Sequence, residues 1–394
     1  MLKITFLGDI MCDNKMSERL SLYRNSSDGK YDFTSCFAHL SELLNESDFV
    51  LANLETPISA DNSSLTSEMW SFNAPYEFAE AVKKTGVDYV STANNHCLDR
   101  GIKGIESTVS SLDKIGLLHC GVRSTKREKY SIAKIKGHRI GVLSYTYGTN
   151  AFSNNCYLPL RYYSAVNLLQ EQERSFLHNW KRFFHGHFLR YCNLIERTLF
   201  PKNGQLPIFE KEEFSIFRKL LITRDIRRIK KEKPDYIIAY LHIGGQYNTE
   251  PSQYTMSTTE WFLQKGINAV IDNHEHIIHG SKKVDGRIAA YALGNCIGSA
   301  GVLEKPFDRL SEYSIALHVY LNNQGHMEKA SFSVLKNCLT EEGKMEVWPA
   351  EMFLKSVESH LCERDTAKIE SEILQAAELF SGKKYSRVCK EFDL

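Results

Sequence analysis

Short apolar runs in this chain end, again and again, on residues that bind cations or move protons. Lys3–Leu7 runs into Gly8-Asp9, Phe49–Ala52 into Asn53-Leu54-Glu55, and Tyr89–Ser91 into Asn94-Asn95-His96 with Asp99 and Gly101 just beyond. Asp235–Leu241 ends on His242, and Ala269–Ile271 on Asp272-Asn273-His274-Glu275-His276. One such ending is ordinary turn chemistry, because Asn and Asp side chains hydrogen-bond their own backbone. A series of them separated by helical patterns constrains the fold: alternating strands and helices build a layered α/β sheet, which takes ligands at the carboxyl ends of its strands.

The intervening segments carry the helical signals. Apolar residues at Phe33, Phe37, Leu40 and Leu44 predict a helix over Phe33–Leu44. Pro75 opens a second, with Phe78, Ala79 and Val82 on one face, and Gly86 closes it. A third spans Ile102–Ile115 and stops at Gly116. Strands over Tyr130–Ile135 and Arg139–Tyr145 flank a Lys136-Gly137-His138 turn. A helix over Thr258–Lys265, a strand Arg287–Leu293 ending on Gly294-Asn295, and a hairpin of Tyr313–Leu321 with Lys329–Val334 complete the second half.

Between these halves the pattern changes. Leu168–Arg190 and Lys211–Lys231 read as helices, and Arg174 to Lys233 holds 15 Lys and Arg against 6 Asp and Glu in a chain whose net charge is +1. The expected organisation is a sheet domain from 1–150 and 232–340, a basic helical insertion over 151–231 and a C-terminal helical appendage over 341–394. The basic insertion suits an anionic partner, and nothing suggests nucleic acid. Met1–Leu7 reads as a strand rather than a leader, no apolar run reaches the roughly 18–20 residues of a membrane span, and the ten cysteines form no C-x-x-C pair. Scattered thiols suit a reducing, cytoplasmic setting.

Collected, the strand ends supply Asp9, Asn53, Glu55, Asn95, His96, His242, His274 and His276. Carboxylate, carboxamide and imidazole together suit one or two divalent ions such as manganese, iron or zinc. Two ions lower the pKa of a shared water and clamp the charge of a displaced group, with Glu55 or Asp9 the natural bridge. His274 and His276 are two apart, so an extended segment would point both the same way. His96, next to a ligand, suits a general acid. Asn53, Asn94, Tyr247 and Asn295 are candidates for substrate contact, Asn94 also for shaping the turn. His185-Gly186-His187 reads as surface, no G-x-G-x-x-G fingerprint is present, and Cys97 and Cys296 read as packing residues.

These motifs resemble the CapA family of capsule-synthesis proteins (poly-γ-glutamate, PgsA-like), within the calcineurin-like metallophosphatase fold. The resemblance is carried by Gly8-Asp9-Ile10-Met11, Asn53-Leu54-Glu55-Thr56-Pro57-Ile58, Ala93-Asn94-Asn95-His96, Leu241-His242-Ile243-Gly244-Gly245-Gln246-Tyr247, His274-Glu275-His276 and Ala292-Leu293-Gly294-Asn295. It implies a four-layer α/β/β/α sandwich. It also implies Asp9, Asn95, His242, His274 and His276 as metal ligands, Glu55 as the bridge and His96 as the proton donor. The chain departs from the pattern at Met11, which stands where a typical metallophosphatase has histidine. It departs again at Ile243 and Gln246 in place of Trp and Glu, and at Glu275 in place of Pro. The stretch 151–223 has no counterpart in short members, nor does the chain show the membrane anchor many members carry.

The function expected from this resemblance is metal-dependent hydrolysis in poly-γ-glutamate or other capsule-polymer metabolism. The rivals are a phosphatase or phosphodiesterase acting on a phosphorylated or nucleotide-linked glycan precursor, and a non-catalytic assembly factor that binds an anionic polymer or a synthase subunit. The oligomeric state is not legible.

Overall fold

A computed structural model describes residues 1–60, 65, 71–123, 129–151, 153–170, 172, 216–303, 310–357 and 363–394. Strands are numbered β1–β15 in chain order. In the first sheet β1 (Leu2–Ile10), β2 (Phe49–Leu54), β3 (Tyr89–Ser91) and β4 (Leu118–Cys120) run parallel. On the other side of β1 come antiparallel β12 (Tyr313–Leu321), β13 (Met327–Leu339) and β14 (Met345–Pro349). Two short strands join this sheet, β11 (Asn295–Ile297) against the end of β1 and β15 (Phe392–Asp393) against β13. The second sheet has the order β5 (Tyr130–Ile135), β6 (His138–Thr146), β7 (Tyr236–His242), β8 (Ala269–Asn273), β10 (Arg287–Ala290), β9 (Ser281–Val284).

Side-chain alternation assigns the layers. Leu2, Ile4 and Phe6 of β1, Phe49 and Leu51 of β2, and Tyr236, Ile238 and Tyr240 of β7 meet in one core between the sheets. The opposite parity faces outward. Val50, Ala52 and Leu54 pack under the helix Tyr76–Lys84 and Leu112 of the helix Gly101–Ile115. Ile237, Ala239 and Leu241 pack under the helices Ile216–Lys231 and Gln253–Gln264. This is the expected four-layer α/β/β/α sandwich. Strands apolar on both faces need cover on both sides, which is why they read as unbroken runs.

Two contacts fix the register where it matters. The Tyr240 hydroxyl crosses the inter-sheet core and donates to the carbonyl of Leu7 at 2.5 Å, with Leu51 O at 3.2 Å. A Cβ on Gly8 would overlap the Gly294 carbonyl, which accepts from Asp9 N at 3.0 Å. Glycine at position 8 therefore lets the 294 turn lie against β1, in register Asp9 to Asn295.

Several boundaries differ from the sequence pattern. The helix expected over Phe33–Leu44 is a 3-10 turn, Thr34–Phe37, and one turn of helix, Ser41–Leu44. Its apolar residues are all buried, so packing overrides the helical period. Pro75 is extended and only precedes its helix. The helix predicted from Thr258 begins at Gln253, because Ser252 Oγ accepts from Thr255 N at 3.1 Å. The strand expected to Leu293 stops at Ala290. His274 and His276 are not extended; their φ values are 101° and 58°. Leu168 bridges Thr146 rather than starting a helix, and most of Leu168–Arg190, with His185-Gly186-His187, lies outside the described residues. The C-terminal segment is helical over Ala350–Val357 and Glu363–Ser381, and also supplies β14 and β15. Ile373, Ala376, Ala377 and Phe380 enter the inter-sheet core.

In the first sheet, His318 of β12 is fully buried, with Nδ1 2.8 Å from Thr5 Oγ1 and Nε2 3.1 Å from Ser333 Oγ. Burial, reinforced by the Lys3 charge, holds its pKa down to about 3. The unfolded chain takes up this proton more readily than the folded one. The His318 contribution to stability is therefore complete above about pH 6.5 and is lost as pH falls towards 3, at up to about 1.4 kcal/mol per pH unit. Denaturant unfolding of His318→Gln between pH 7 and pH 4 should show a shallower loss than the parent chain; parallel curves would contradict this assignment.

Candidate metal centre

The carboxyl ends of β1, β2, β3, β7 and β8 converge. Asp9 leaves β1, and its Oδ1 accepts from Asn53 Nδ2 at 2.7 Å while its Oδ2 accepts from His274 N at 3.1 Å. Glu55 follows β2 and is fully buried, and neither carboxylate oxygen has a hydrogen-bond donor. His242 Nε2 lies 2.8 Å from Asn95 Oδ1 and 3.3 Å from Glu55 Oε1. His276 Nε2 lies 4.0 Å from the same Glu55 oxygen, and its Nδ1 is 2.9 Å from Asn295 Oδ1 and 3.5 Å from Asp9 Oδ2. The left-handed backbone of His274 and His276 brings their ring centroids within 5.8 Å, a convergence the pleat of a strand does not provide.

Two ligand clusters share Glu55. Asp9, Glu55 and His242 form one, and Glu55, His274 and His276 the other, with the ligand atoms of each within 4.8 Å of one another. Donor atoms bound to one ion at roughly 2.0–2.2 Å stand about 3 Å apart, as His242 Nε2 does from both Asn95 Oδ1 and Glu55 Oε1. A carboxylate buried without a donor is costly unless a cation balances it. The residues present therefore fit a divalent ion, and their arrangement around one shared carboxylate fits two.

The electrostatics agree. Burial alone would raise the Asp9 pKa, but the His276 contact and the charges of His242 and His276 outweigh it and hold the carboxyl below its usual range. Burial works against protonating His276, yet Glu55 and Asp9 raise its pKa to about 9. His274 goes the other way, pushed well down by burial and by the imidazoles of His242, His276 and His96.

His96 stands beside the clusters. Its Nδ1 is 2.7 Å from Asp99 Oδ2, and its ring stacks on Phe72 with centroids 3.8 Å apart. Burial lowers its proton affinity, but Asp99 more than compensates, so the pKa is raised. Asn53 and Asn295 sit behind Asp9 and His276, both fully buried. Asn94 donates to Leu54 O at 2.7 Å and shapes the turn. Tyr247 is half-buried, its ring centroid 5.6 Å from that of His276. Gln246 Nε2 lies 3.4 Å from His276 Nε2. Met11 is buried.

Sequence reasoning missed Phe72, Tyr147, Asn150 and Asn154. Tyr147 packs 4.8 Å from His274, and Asn154 Nδ2 donates to Asp99 Oδ1 at 2.9 Å. The missed signal was one more strand end: β6 finishes in Thr146 and is followed by Tyr147-Gly148-Thr149-Asn150.

Known proteins align with this picture. A family model described as bacterial capsule synthesis protein PGA_cap matches residues 3–300. A capsule biosynthesis protein CapA of Bacillus anthracis is 21% identical over 319 residues, covering 80% of this chain and 64% of its own length. A PGA biosynthesis protein CapA of Bacillus subtilis (strain 168) is 20% identical over 332 residues, covering 83% and 70%. Among solved structures, a hypothetical protein from Thermus thermophilus superposes with a TM-score of 0.44 at 12% identity, covering 84% of this chain and 98% of its own. A 5'-nucleotidase precursor from the same organism gives 0.38 at 9% identity, covering 88% and 54%. The chain thus spans less than two thirds of the length of the Bacillus anthracis relative.

Partners that orient a metal-ligating histidine typically contribute 10–100-fold in metal affinity. Asn295→Ala, which removes the acceptor behind His276, should weaken manganese binding by about that factor in calorimetric titration. Unchanged affinity would exclude Asn295 as the residue that orients His276 for a metal.

Proposed function

The chain belongs to the bacterial capsule synthesis protein PGA_cap family, and from that premise we propose that it is a divalent-metal-dependent hydrolase acting in the metabolism of poly-γ-glutamate or another anionic capsule polymer. The observation that carries this reading is Glu55, buried without a donor and shared by two ligand clusters. Asp9, Glu55, Asn95, His242, His274 and His276 would hold one or two ions of manganese, iron or zinc, with Glu55 as the bridge. Such ions supply Lewis acidity, polarising the bond to be cut and lowering the pKa of the attacking water.

The protein's own groups do the rest. Asp9 stays anionic, oriented by Asn53 and the His274 amide. Asn295 fixes the His276 ring. With Nδ1 of His96 committed to Asp99, Nε2 is the atom that holds the proton for the leaving group. Phe72 covers one face of that ring and keeps water from it. Asn53, Asn94 and Asn295 then act by orienting the site, which leaves Tyr247 as the substrate contact among the residues named from sequence.

A second reading is hydrolysis of a phosphoester in a glycan or nucleotide-linked precursor, which the His96–Asp99 pair serves equally, since a poor alkoxide leaving group, like the amine of an amide, needs a proton. The basic residues Arg224, Arg227, Arg228 and Lys231, all exposed on the helix Ile216–Lys231, suit an anionic polymer in either case. Cys12, Cys36, Cys97, Cys120, Cys156, Cys296, Cys338 and Cys389 are free thiols, which supports a cytoplasmic setting. Among the described residues no helix is long and apolar enough to cross a membrane.

A screen of γ-glutamyl and phosphoester substrates with the bound metal tests this function. His96→Ala should lower kcat on the responding substrate by roughly 10²–10⁴-fold while leaving metal content unchanged. Full activity in that variant would remove His96 from the chemistry.

A further inference from the structure

The segment that leaves β6 is built around two carboxamides that touch the site from behind. Asn154 Nδ2 donates to Asp99 Oδ1 at 2.9 Å, and Asn150 Oδ1 accepts from Asn95 Nδ2 at 3.3 Å. We propose that Asn154 and Asn150 are positioning residues, Asn154 for the His96–Asp99 pair and Asn150 for the metal-facing oxygen of Asn95. The role given to His96 rests on the proposed hydrolase function; the placement of Asp99 and Asn95 does not.

The Asp99 carboxylate is fully buried and receives three donors. His96 Nδ1 and Phe72 N both meet Oδ2 at 2.7 Å, which leaves Oδ1 to Asn154. With both oxygens engaged the carboxylate cannot turn about its bond to Cβ, and its Oδ2 stays aimed at His96. Without Asn154, Oδ1 is a buried acceptor lacking its side-chain donor, and rotation towards another donor would cost the His96 contact. At Asn95 the choice is between the two ends of an amide. The acceptor oxygen of Asn150 selects the Asn95 amino group, and so turns Asn95 Oδ1 towards His242 Nε2 at 2.8 Å. The flipped amide would aim two N–H donors at the place a cation would occupy.

The loop that presents both carboxamides is braced. Asn154 N donates to Asn150 O at 2.8 Å, and Cys156 N to Ala151 O at 3.0 Å. Asn150 and Asn155 have φ of 50° and 49°, a left-handed conformation that asparagine tolerates better than most residues. Gln172 ties the loop at both ends, donating to Thr149 Oγ1 at 2.6 Å and accepting from Leu158 N at 3.0 Å. Leu158 and Cys156 pack with Cys97, Leu98, Ile105 and Val109, the residues that follow His96. The start of the 151–231 segment is thereby joined to the strand end that carries the acid, and shapes the site from its first residues.

The test uses the full chain loaded with zinc, whose closed shell leaves proton signals near the site narrow. The low-field proton signal of His96 Nδ1–H, identified by its loss in His96→Gln, reports the Asp99 contact directly. Asn154→Ala should shift or broaden that signal. It should also lower kcat on phenyl phosphate roughly tenfold more than on p-nitrophenyl phosphate, whose leaving group needs no acid, with KM unchanged. An unmoved proton signal, or equal losses on the two esters in a folded variant, would overturn the role of Asn154. If the parent chain turns over neither ester, the phosphoester reading fails and the proton signal alone decides the positioning role. For Asn150, glycine keeps the left-handed backbone and removes the amide, whereas aspartate keeps an acceptor. Calorimetry should give manganese affinity roughly tenfold or more lower in Asn150→Gly and close to the parent value in Asn150→Asp. Equal affinity in Asn150→Gly would overturn it.

Discussion

A carboxylate placed in the interior without a donor is the constraint on which this structure turns. Glu55 has no hydrogen bond to either oxygen, yet imidazoles from three positions stand around it. Removing an unpaired charge from water is strongly unfavourable, and proteins resolve it by neutralisation, by pairing or by a metal ion. Here the neighbouring histidines are pulled apart in proton affinity: burial and the surrounding imidazoles push His274 down, while Glu55 and Asp9 hold His276 up against its burial. A bound cation answers both strains, since it balances Glu55 and takes neutral imidazoles as ligands.

The site is assembled from two sheets that meet through packing and a few hydrogen bonds across their core. The first sheet brings Asp9, Glu55, Asn95 and His96, and the second brings His242, His274 and His276. Their spacing is set by the inter-sheet core and by the Tyr240 hydroxyl, which ties β7 to the carbonyl of Leu7 two residues before Asp9. Core packing and site geometry are therefore one property, because interiors are close-packed and transmit displacement rather than absorb it. The C-terminal helix Glu363–Ser381 shares that core through Ile373 and Phe380, so the last part of the chain also bears on the site's dimensions.

Much of this was legible in the sequence because strands buried on both faces leave continuous apolar runs, and those runs stop where the polar residues begin. β1, β2, β3, β7 and β8 could be found in this way, with Asp9, Glu55, Asn95, His242 and His276 at their ends. What could not be read follows from tertiary contact. Phe33, Phe37, Leu40 and Leu44 keep a helical spacing, yet they fill the core from a 3-10 turn, a single α-helical turn and the residues flanking them rather than from one continuous helix. β11 and β15 are three and two residues long and exist only because β1 and β13 offer them edges. The φ of His274 is imposed by its place beside Asp9, and no local signal announces a left-handed histidine. Asn154 looks like any loop asparagine until Asp99 is seen opposite it, 55 residues away in the chain.

Anomalous diffraction from crystals grown with manganese would locate the cation relative to Glu55. Peaks are expected beside the Glu55 carboxylate, one enclosed by Asp9 and His242 and one by His274 and His276, or a single peak at one of these positions. Glu55→Leu should abolish them while the sandwich remains folded. A refined structure in which manganese binds elsewhere, with Glu55 neutral and packed against its histidines, would contradict a cation site at Glu55.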